Sequence, residues 1–193
     1  MATERSYPFR LAAGADPEDL DPELGFTTDV EFSEMFRLIF PSCVVSGLAV
    51  FADSSGLQVK VPEGYGFVEG HRYKMTDGPA VPAIAANGSG QPRIDTVVLR
   101  KEYGTVNAVQ LAIVQGTPGA TPAPPDLEQT ATAVYEFPLA DVAVAAGAVT
   151  IAPANVTDRR KFWKQAVREA LGIFVGTTAP SSGVGEDGDL YFY

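Results

Sequence analysis

The chain has 193 residues, 46% of them hydrophobic and 20% charged, so it can bury a core and differs from a largely disordered protein. Its 24 acidic residues outnumber its 14 basic ones, and a formal net charge of −10 without a basic patch argues against nucleic acid as a partner. It shows neither the apolar stretch of a signal peptide nor the roughly 18 apolar residues that cross a bilayer, so we expect a soluble protein, made in the cytosol, without a membrane partner.

The first 26 residues are expected to form an extended N-terminal arm, because they are acidic, contain several prolines and show no helical periodicity. Tyr7, Phe9 and Leu11 alternate as in a strand that lacks a partner. Two interpretations stay open for this arm. It is either a disordered tail or a segment that docks on a neighbouring subunit.

A short helix is expected next. Thr27 or Thr28 can cap it, and acidic residues occupy its first turn, where negative charge is favourable. Pro41 ends it. From residue 44 to 152 the apolar residues then recur with period two, and the 19 glycines and 15 prolines of the chain supply frequent turns. These features predict a mainly β domain over residues 27–156, with an antiparallel, β-sandwich-like architecture.

Two hairpins stand out within this domain. The stretch FVEGHRYKM predicts one that turns at Glu69 and Gly70, and residues 93–116 predict a second that turns near Gly104. A slip of phase along the second hairpin indicates a β-bulge. The segment YEFPLADVAVAAGAVTI predicts two short strands around Pro138 and the turn AAG.

A C-terminal helix is predicted over residues 157–175, capped by Thr157 or Asp158. Its wide apolar face either packs on the sheet or pairs with copies of itself, and we treat it as a candidate assembly interface. A Gly/Ser/Pro linker with the apolar end LYFY follows over residues 176–193, and its aromatic residues indicate contact with another element. The residues of the candidate interface are Phe162, Trp163, Ala166, Val167, Ala170, Leu171 and Phe174.

Motifs for catalysis, cofactors or metals are not found, and we predict no catalytic residue, no cofactor and no metal site. His71 is the only histidine, and we interpret it as part of a solvated hairpin face. Cys43 is the only cysteine and is expected to be a buried apolar residue. The acidic turn at 185–190 lacks the ligand pattern of a calcium loop.

Arg93 and Asp95 flank Ile94 at the start of the second hairpin. Residues two apart on a strand point the same way, so this pair predicts a local ion pair that orders the beginning of the strand. A role in general acid–base chemistry requires a second carboxylate or a histidine that converges on the pair, and the sequence places none there.

The order of these pieces resembles the N-terminal module of tailed-phage baseplate and minor tail proteins, the group that includes upper baseplate and tail-fibre proteins. The resemblance covers residues 28 to 160. It rests on a strand pair of the form VxSGLxV…LxVxVxxGxxxVxG, then PRIDxVVLR, a loop GTPxxxPxxP, a strand YExPLAxVxV and a terminal TDRR. Each motif is short, and their common order makes the resemblance specific.

The resemblance implies a non-enzymatic structural protein of the virion, assembled in the host cytoplasm and located at the tail tip or baseplate. Such a protein links the tail core to peripheral fibres or receptor-binding proteins, and we expect a homo-oligomer, with a trimer favoured. One alternative is a carbohydrate-binding module for a host surface glycan, with Tyr65, Tyr73 and Tyr103 as candidate residues. Another is a hydrolase of cell-wall polymers, with Glu63, Glu69 and Asp95 as the candidate acids.

Overall fold

The computed structural model describes residues 36–103, 108–130 and 133–164, together with the backbone of residues 173–175 and 190–192. Over these ranges the chain is mainly β, which confirms the predicted class. Two antiparallel sheets and one small parallel strand pair are present in the described parts. The strands are β1 (Cys43–Gly47), β2 (Gly64–Val68), β3 (His71–Met75), β4 (Arg93–Glu102), β5 (Ala108–Val114), β6 (Val134–Val144), β7 (Val156–Asp158), β8 (Ile173–Val175) and β9 (Leu190–Phe192).

The first sheet has the order β1-β2-β3 and contains the first predicted hairpin. Val68 pairs with His71, which leaves Glu69 and Gly70 as the two turn residues. Both have positive φ angles, 47° and 74°, as a tight turn between twisted strands requires. The predicted turn position is therefore confirmed.

The second sheet has the order β5-β4-β6-β7, with the ten-residue strand β4 inside it. Strands β4 and β5 form the second predicted hairpin, and their register is unbroken from the Thr96–Val114 pair to the Glu102–Ala108 pair. The slip of phase that predicted a bulge in this hairpin begins at Val106, which lies outside the described residues. A bulge is present on the other side of β4, where Val97 pairs with Ala140 and Val98 with Pro138. Leu139 is the extra residue of this bulge.

Two short strands were predicted around Pro138 and the AAG turn, but a single strand, β6, passes through Pro138 and ends at Val144. The turn follows at residues 146–147, and residues 148–151 are not a strand. Proline has no N–H to donate to a ladder, and within a sheet it is tolerated at a bulge. Pro138 sits beside the extra residue Leu139, where the regular ladder is already interrupted. The bulge thus explains how the strand passes through the proline.

One apolar core is shared by the two antiparallel sheets. Val44 and Val68 from the first sheet belong to the same buried cluster as Val97, Leu99 and Leu139 from the second. The segment between β1 and β2 contributes three further fully buried side chains, which are Leu48, Val59 and Val61. This shared core fixes the first sheet against the second and so fixes the surface between them.

The ends of the domain differ from the prediction. Residues 36–39 are helical and the helix stops before Pro41, as predicted, whereas its proposed caps lie outside the described residues. The C-terminal helix was predicted to begin at Thr157 or Asp158, but both residues belong to strand β7. Thr157 pairs there with Asp141, and this tertiary pairing overrides a local capping signal.

Candidate functional site

Arg93 and Asp95 form the predicted ion pair, and it is buried. The guanidinium binds the carboxylate through two contacts, Nε to Oδ1 at 2.8 Å and Nη2 to Oδ2 at 3.0 Å. Arg93 is 2% exposed and Asp95 is fully buried. A two-point contact of this kind is geometrically specific and stronger than a contact between neutral groups.

The pair also holds two loops, which sequence reasoning did not predict. Arg93 donates to the carbonyl oxygens of Ala85 at 2.6 Å and Ala86 at 3.2 Å. Asp95 accepts a hydrogen bond of 3.0 Å from the backbone N–H of Gly116. Because each charged group is already occupied by protein partners, the geometry of this cluster, which we call the Arg93 clasp, suits a structural role.

A second cluster surrounds the TDRR sequence, which begins in strand β7 and continues past its end. Asp141 accepts a 2.8 Å hydrogen bond from Thr96 and pairs with Arg159. The next residue, Arg160, has different partners. It binds Asp158 and donates a 2.7 Å hydrogen bond to the carbonyl oxygen of Gly47. Consecutive arginines thus hold strand β6 on one side and the end of β1 on the other.

A cavity of about 620 Å³ opens between these elements, and we call it the polar cleft. The helical turn before β1, the β2–β3 turn, strand β6 and the segment after β7 all contribute to its wall. Three cations line it against a single carboxylate, although the whole chain is strongly acidic. Its lining residues are Arg37, Pro41, Ser42, Glu69, Gln129, Tyr135, Phe137, Pro138, Arg159 and Lys161.

Glu69 is the centre of a hydrogen-bond network in the polar cleft. One of its oxygens accepts from the Ser42 hydroxyl at 3.2 Å, and the other lies 3.4 Å from Arg37. Burial raises the pKa of Tyr103 and of Tyr135, and the negative charge of Glu69 raises both further. Ser42, by a hydrogen bond, and Lys161, by its charge, partly offset the rise at Tyr135.

The two arginines of the cleft retain donor capacity. Each guanidinium carries five N–H donors. The contact of Arg37 with Glu69 and the contact of Arg159 with Asp141 each use one guanidinium nitrogen, and both side chains are 43% exposed. Because a guanidinium fork matches the geometry of carboxylates and phosphates, the cleft is suited to bind an anionic group.

The three tyrosines considered for a sugar platform do not share one surface. Tyr65 pairs with Lys74, and Tyr73 pairs with Gly66, so the two tyrosines lie on opposite faces of the first sheet. Tyr65 is exposed beside Arg72, whereas Tyr73 packs against the core. Tyr103 is partly buried, with its ring edge-on to His71.

The three candidate acids for hydrolysis are also held apart by different partners. Asp95 belongs to the buried Arg93 clasp, and Glu69 lines the polar cleft. Glu63 accepts from the backbone N–H of Gly78 at 3.2 Å. These separate contacts do not bring the three acids together as a catalytic constellation.

Cys43 is buried in strand β1. Burial raises the pKa of its thiol to about 11, and a hydrogen bond from the Phe67 backbone offsets part of the rise. The sulfur is therefore a neutral thiol at physiological pH, which disfavours a nucleophilic role. His71 contacts the carbonyl oxygen of Glu69 through Nδ1 at 3.0 Å.

The predicted assembly residues are only partly described. Phe162 forms a parallel bridge with Val44, and it and the helical residue Trp163 are each 39% exposed. Phe174 was predicted on the helix, but it lies in strand β8, which pairs with β9 of the apolar tail. The remaining positions lie outside the described residues, namely Ala166, Val167, Ala170 and Leu171 of the helix and Tyr7, Phe9 and Leu11 of the arm.

In the described residues, no group of three or more His, Cys, Asp or Glu side chains could hold a metal ion. The helices of this part of the chain are too short or too polar to cross a membrane. No protein-family model, curated protein or solved structure matches the chain.

Proposed function

We propose that this chain is a non-enzymatic structural protein of a phage tail tip or baseplate, which links the tail core to peripheral fibres or receptor-binding proteins. In this proposal the two antiparallel sheets form a sandwich-like domain around their shared core. The C-terminal segment assembles copies into a trimer, and the N-terminal arm docks on a neighbouring subunit. The sequence resemblance is the source of this assignment.

One structural observation supports it: the motifs that carry the resemblance hold one another. Asp95 of PRID binds the backbone N–H of Gly116, which begins GTP. Thr96 bonds Asp141 of the YExPLA strand, and Arg159 of TDRR pairs with the same carboxylate. Arg160 of TDRR reaches the carbonyl of Gly47 in the SGL motif. Motif residues are thus used to build the domain, as expected of a structural module.

Exposed apolar side chains lie near both ends of the domain and support the assembly part of the proposal. Leu38 is 87% exposed and Ile39 is 58% exposed just before strand β1. Phe162 and Trp163 are each 39% exposed just after the TDRR sequence. Large exposed apolar side chains of this kind are frequent where a protein meets another.

Absolute mass in solution by light scattering tests the assembly. A chain that ends at Val156 would lack the C-terminal segment, but it would also lack Arg159 and Arg160, whose side chains contact strand β6 and Gly47. Such a truncation could therefore unfold the domain and is unsuitable as a test of assembly. We would therefore compare the full chain with a Val167→Lys/Leu171→Lys variant and with a polar-face control, Lys164→Gln/Arg168→Gln. We expect three times the 20.4 kDa chain mass for the full chain and the control, and the single-chain mass for the apolar-face variant.

Immunogold labelling of tailed particles from the phage that encodes the chain tests the location. Label confined to the tail tip supports the proposal, whereas particles that are purified free of the protein contradict it. A monomeric full chain would contradict self-assembly while leaving the virion role to be decided by the labelling.

A further inference from the structure

We infer that the polar cleft is the docking site for the acidic stretch of this same chain at residues 16–23. This inference goes beyond the proposed function, because it holds whether the stretch comes from the same copy or from a neighbouring one.

The first support is the charge of the cleft. Arg37, Arg159 and Lys161 line it, against the single carboxylate of Glu69. Asp141 pairs with Arg159 from outside the lining, so the cations form a local cluster in a chain whose net charge is −10. A local cluster of cations favours a negative ligand in this cavity.

The second support is the donor geometry. Arg37 meets Glu69 only at 3.4 Å, and Arg159 uses a single guanidinium nitrogen for Asp141. Both arginines therefore have donors left for a further carboxylate. The cleft also has an apolar wall of Pro41, Phe137 and Pro138, which suits a ligand that alternates carboxylates with proline and leucine.

The third support is the sequence of the occupant. The stretch DPEDLDPE contains five carboxylates, two prolines and one leucine, and no basic residue. Proline limits the conformations of the free chain and so lowers the entropic cost of binding in an extended form. Charge and side-chain type both match the cleft.

The fourth support is the reach of the chain. Arg37 lines the cleft, and only 14 residue steps separate it from Glu23. Fourteen steps span at most about 50 Å when extended, so the tether brings the stretch to its own cleft or to that of an adjacent copy. A short tether also gives the stretch a high effective concentration at the cleft.

Carbodiimide cross-linking of the full chain, followed by peptide mass spectrometry, tests the inference. The reagent joins a lysine amine to a carboxylate that it touches, without a spacer. We expect an amide between Lys161 and one of the carboxylates Asp16, Glu18, Asp19, Asp21 or Glu23. The exposed Lys60–Asp53 pair, with Nζ and Oδ2 2.5 Å apart, is the internal positive control.

Two variants make the test specific. Arg37→Gln removes one cation of the cleft and is expected to lower the Lys161 link about two- to fivefold, the effect of a single exposed charge pair. Arg72→Gln, at an exposed arginine outside the cleft lining, is the matched control and should leave the link unchanged. Circular dichroism spectra identical to that of the unmodified chain show that both variants fold.

A Lys60–Asp53 link without any link from Lys161 to residues 16–23 overturns the inference. So does a Lys161 link that goes instead to the second acidic stretch, Glu186, Asp187 and Asp189. Mixing ¹⁵N-labelled and unlabelled chains shows which copy donates the stretch. Links confined to one copy support this inference but contradict the intersubunit arm of the proposed function, so the two fail separately.

Discussion

The guanidinium of Arg160 donates a 2.7 Å hydrogen bond to the carbonyl oxygen of Gly47, a residue 113 positions earlier in the chain. The same side chain binds both oxygens of Asp158, and its guanidinium carbon lies 4.9 Å from the centre of the Phe162 ring. Gly47 ends a strand of the first sheet, and Asp158 ends a strand of the second. One planar cation therefore joins the two sheets.

We expect Arg160→Lys to destabilise the protein by about 1–3 kcal/mol, because lysine cannot contact Asp158 and Gly47 at once with a planar fork. Urea denaturation followed by circular dichroism measures the change. Arg72→Lys is the matched control, since Arg72 is exposed and its guanidinium carbon lies 6.0 Å from the centre of the Tyr65 ring. Equal midpoints for the two variants would show that Arg160 does not join the sheets.

Removal of one member of the Arg93 clasp should be costly. Asp95→Asn leaves the guanidinium of Arg93 buried without its counter-charge, and we expect a loss of about 3–5 kcal/mol in the free energy of unfolding. Urea denaturation again gives the value. The double variant Arg93→Met/Asp95→Leu removes both charges and should recover part of the loss. A single substitution that costs no more than Asp53→Asn, at an exposed pair, contradicts this account.

Gly116 is fixed by a close approach of the backbone. A Cβ atom placed there would lie 1.9 Å from the carbonyl oxygen of Ile94, which cannot move without disturbing strand β4. We therefore expect Gly116→Ala to cost at least about 2 kcal/mol. Gly119→Ala is the control in the same loop, because a Cβ there meets nothing within 4 Å. The melting temperatures of both variants, measured by thermal unfolding, test this prediction. Equal melting temperatures for Gly116→Ala and Gly119→Ala would contradict it.

Asp53 should titrate at unusually low pH. Hydrogen bonds from Lys60 and Ser55 lower the pKa of its carboxyl from 3.8 to about 2. Because the folded-state pKa is the lower one, this contact stabilises the protein above about pH 4 and is lost as the pH falls towards 2. Carbonyl NMR titration of the unmodified chain and of Lys60→Met measures it, with Lys74→Met as control. A pKa that stays low in Lys60→Met would assign the shift to another group.

The tyrosines beside the polar cleft should report the charge of Glu69. Its negative charge adds to the burial that raises the pKa of Tyr103 and Tyr135, so Glu69→Gln should lower both pKa values. Tyr73 is an internal control, because burial alone raises its pKa. Titration of ring-labelled tyrosine by NMR separates the three. An unchanged Tyr135 would place Glu69 farther from that ring than the structure does.

The sequence alone predicted those features that depend on residues close together in the chain. The Glu69–Gly70 turn follows from two residues between alternating runs, and the Arg93–Asp95 pair follows from their spacing on one strand. Both predictions are confirmed. The bulge at Leu139 was missed, because it depends on how β6 lies beside β4.

The polar cleft could not be predicted, because its walls come from segments far apart in the chain. The packing of the two sheets around the shared core brings together residues that line this cleft, namely Ser42, Glu69, Tyr135 and Arg159. The beginning of the C-terminal helix was misplaced for the same reason. Thr157 and Asp158 carry a local capping signal, but pairing with β6 decides their conformation.

The parallel bridge between Val44 and Phe162 has a mechanical consequence. In a parallel pair the two segments run in the same direction, so a pull on the chain before Val44 and on the chain after Phe162 slides them past each other. The hydrogen bond from the Val44 N–H to the Lys161 carbonyl is then loaded along the segments in shear, rather than opened as a zipper. Resistance to such a load depends on the rate of unfolding and not on equilibrium stability. If the domain transmits tension between its two ends, the contact of Val44 with Lys161 and Phe162 therefore resists the separation of these two segments.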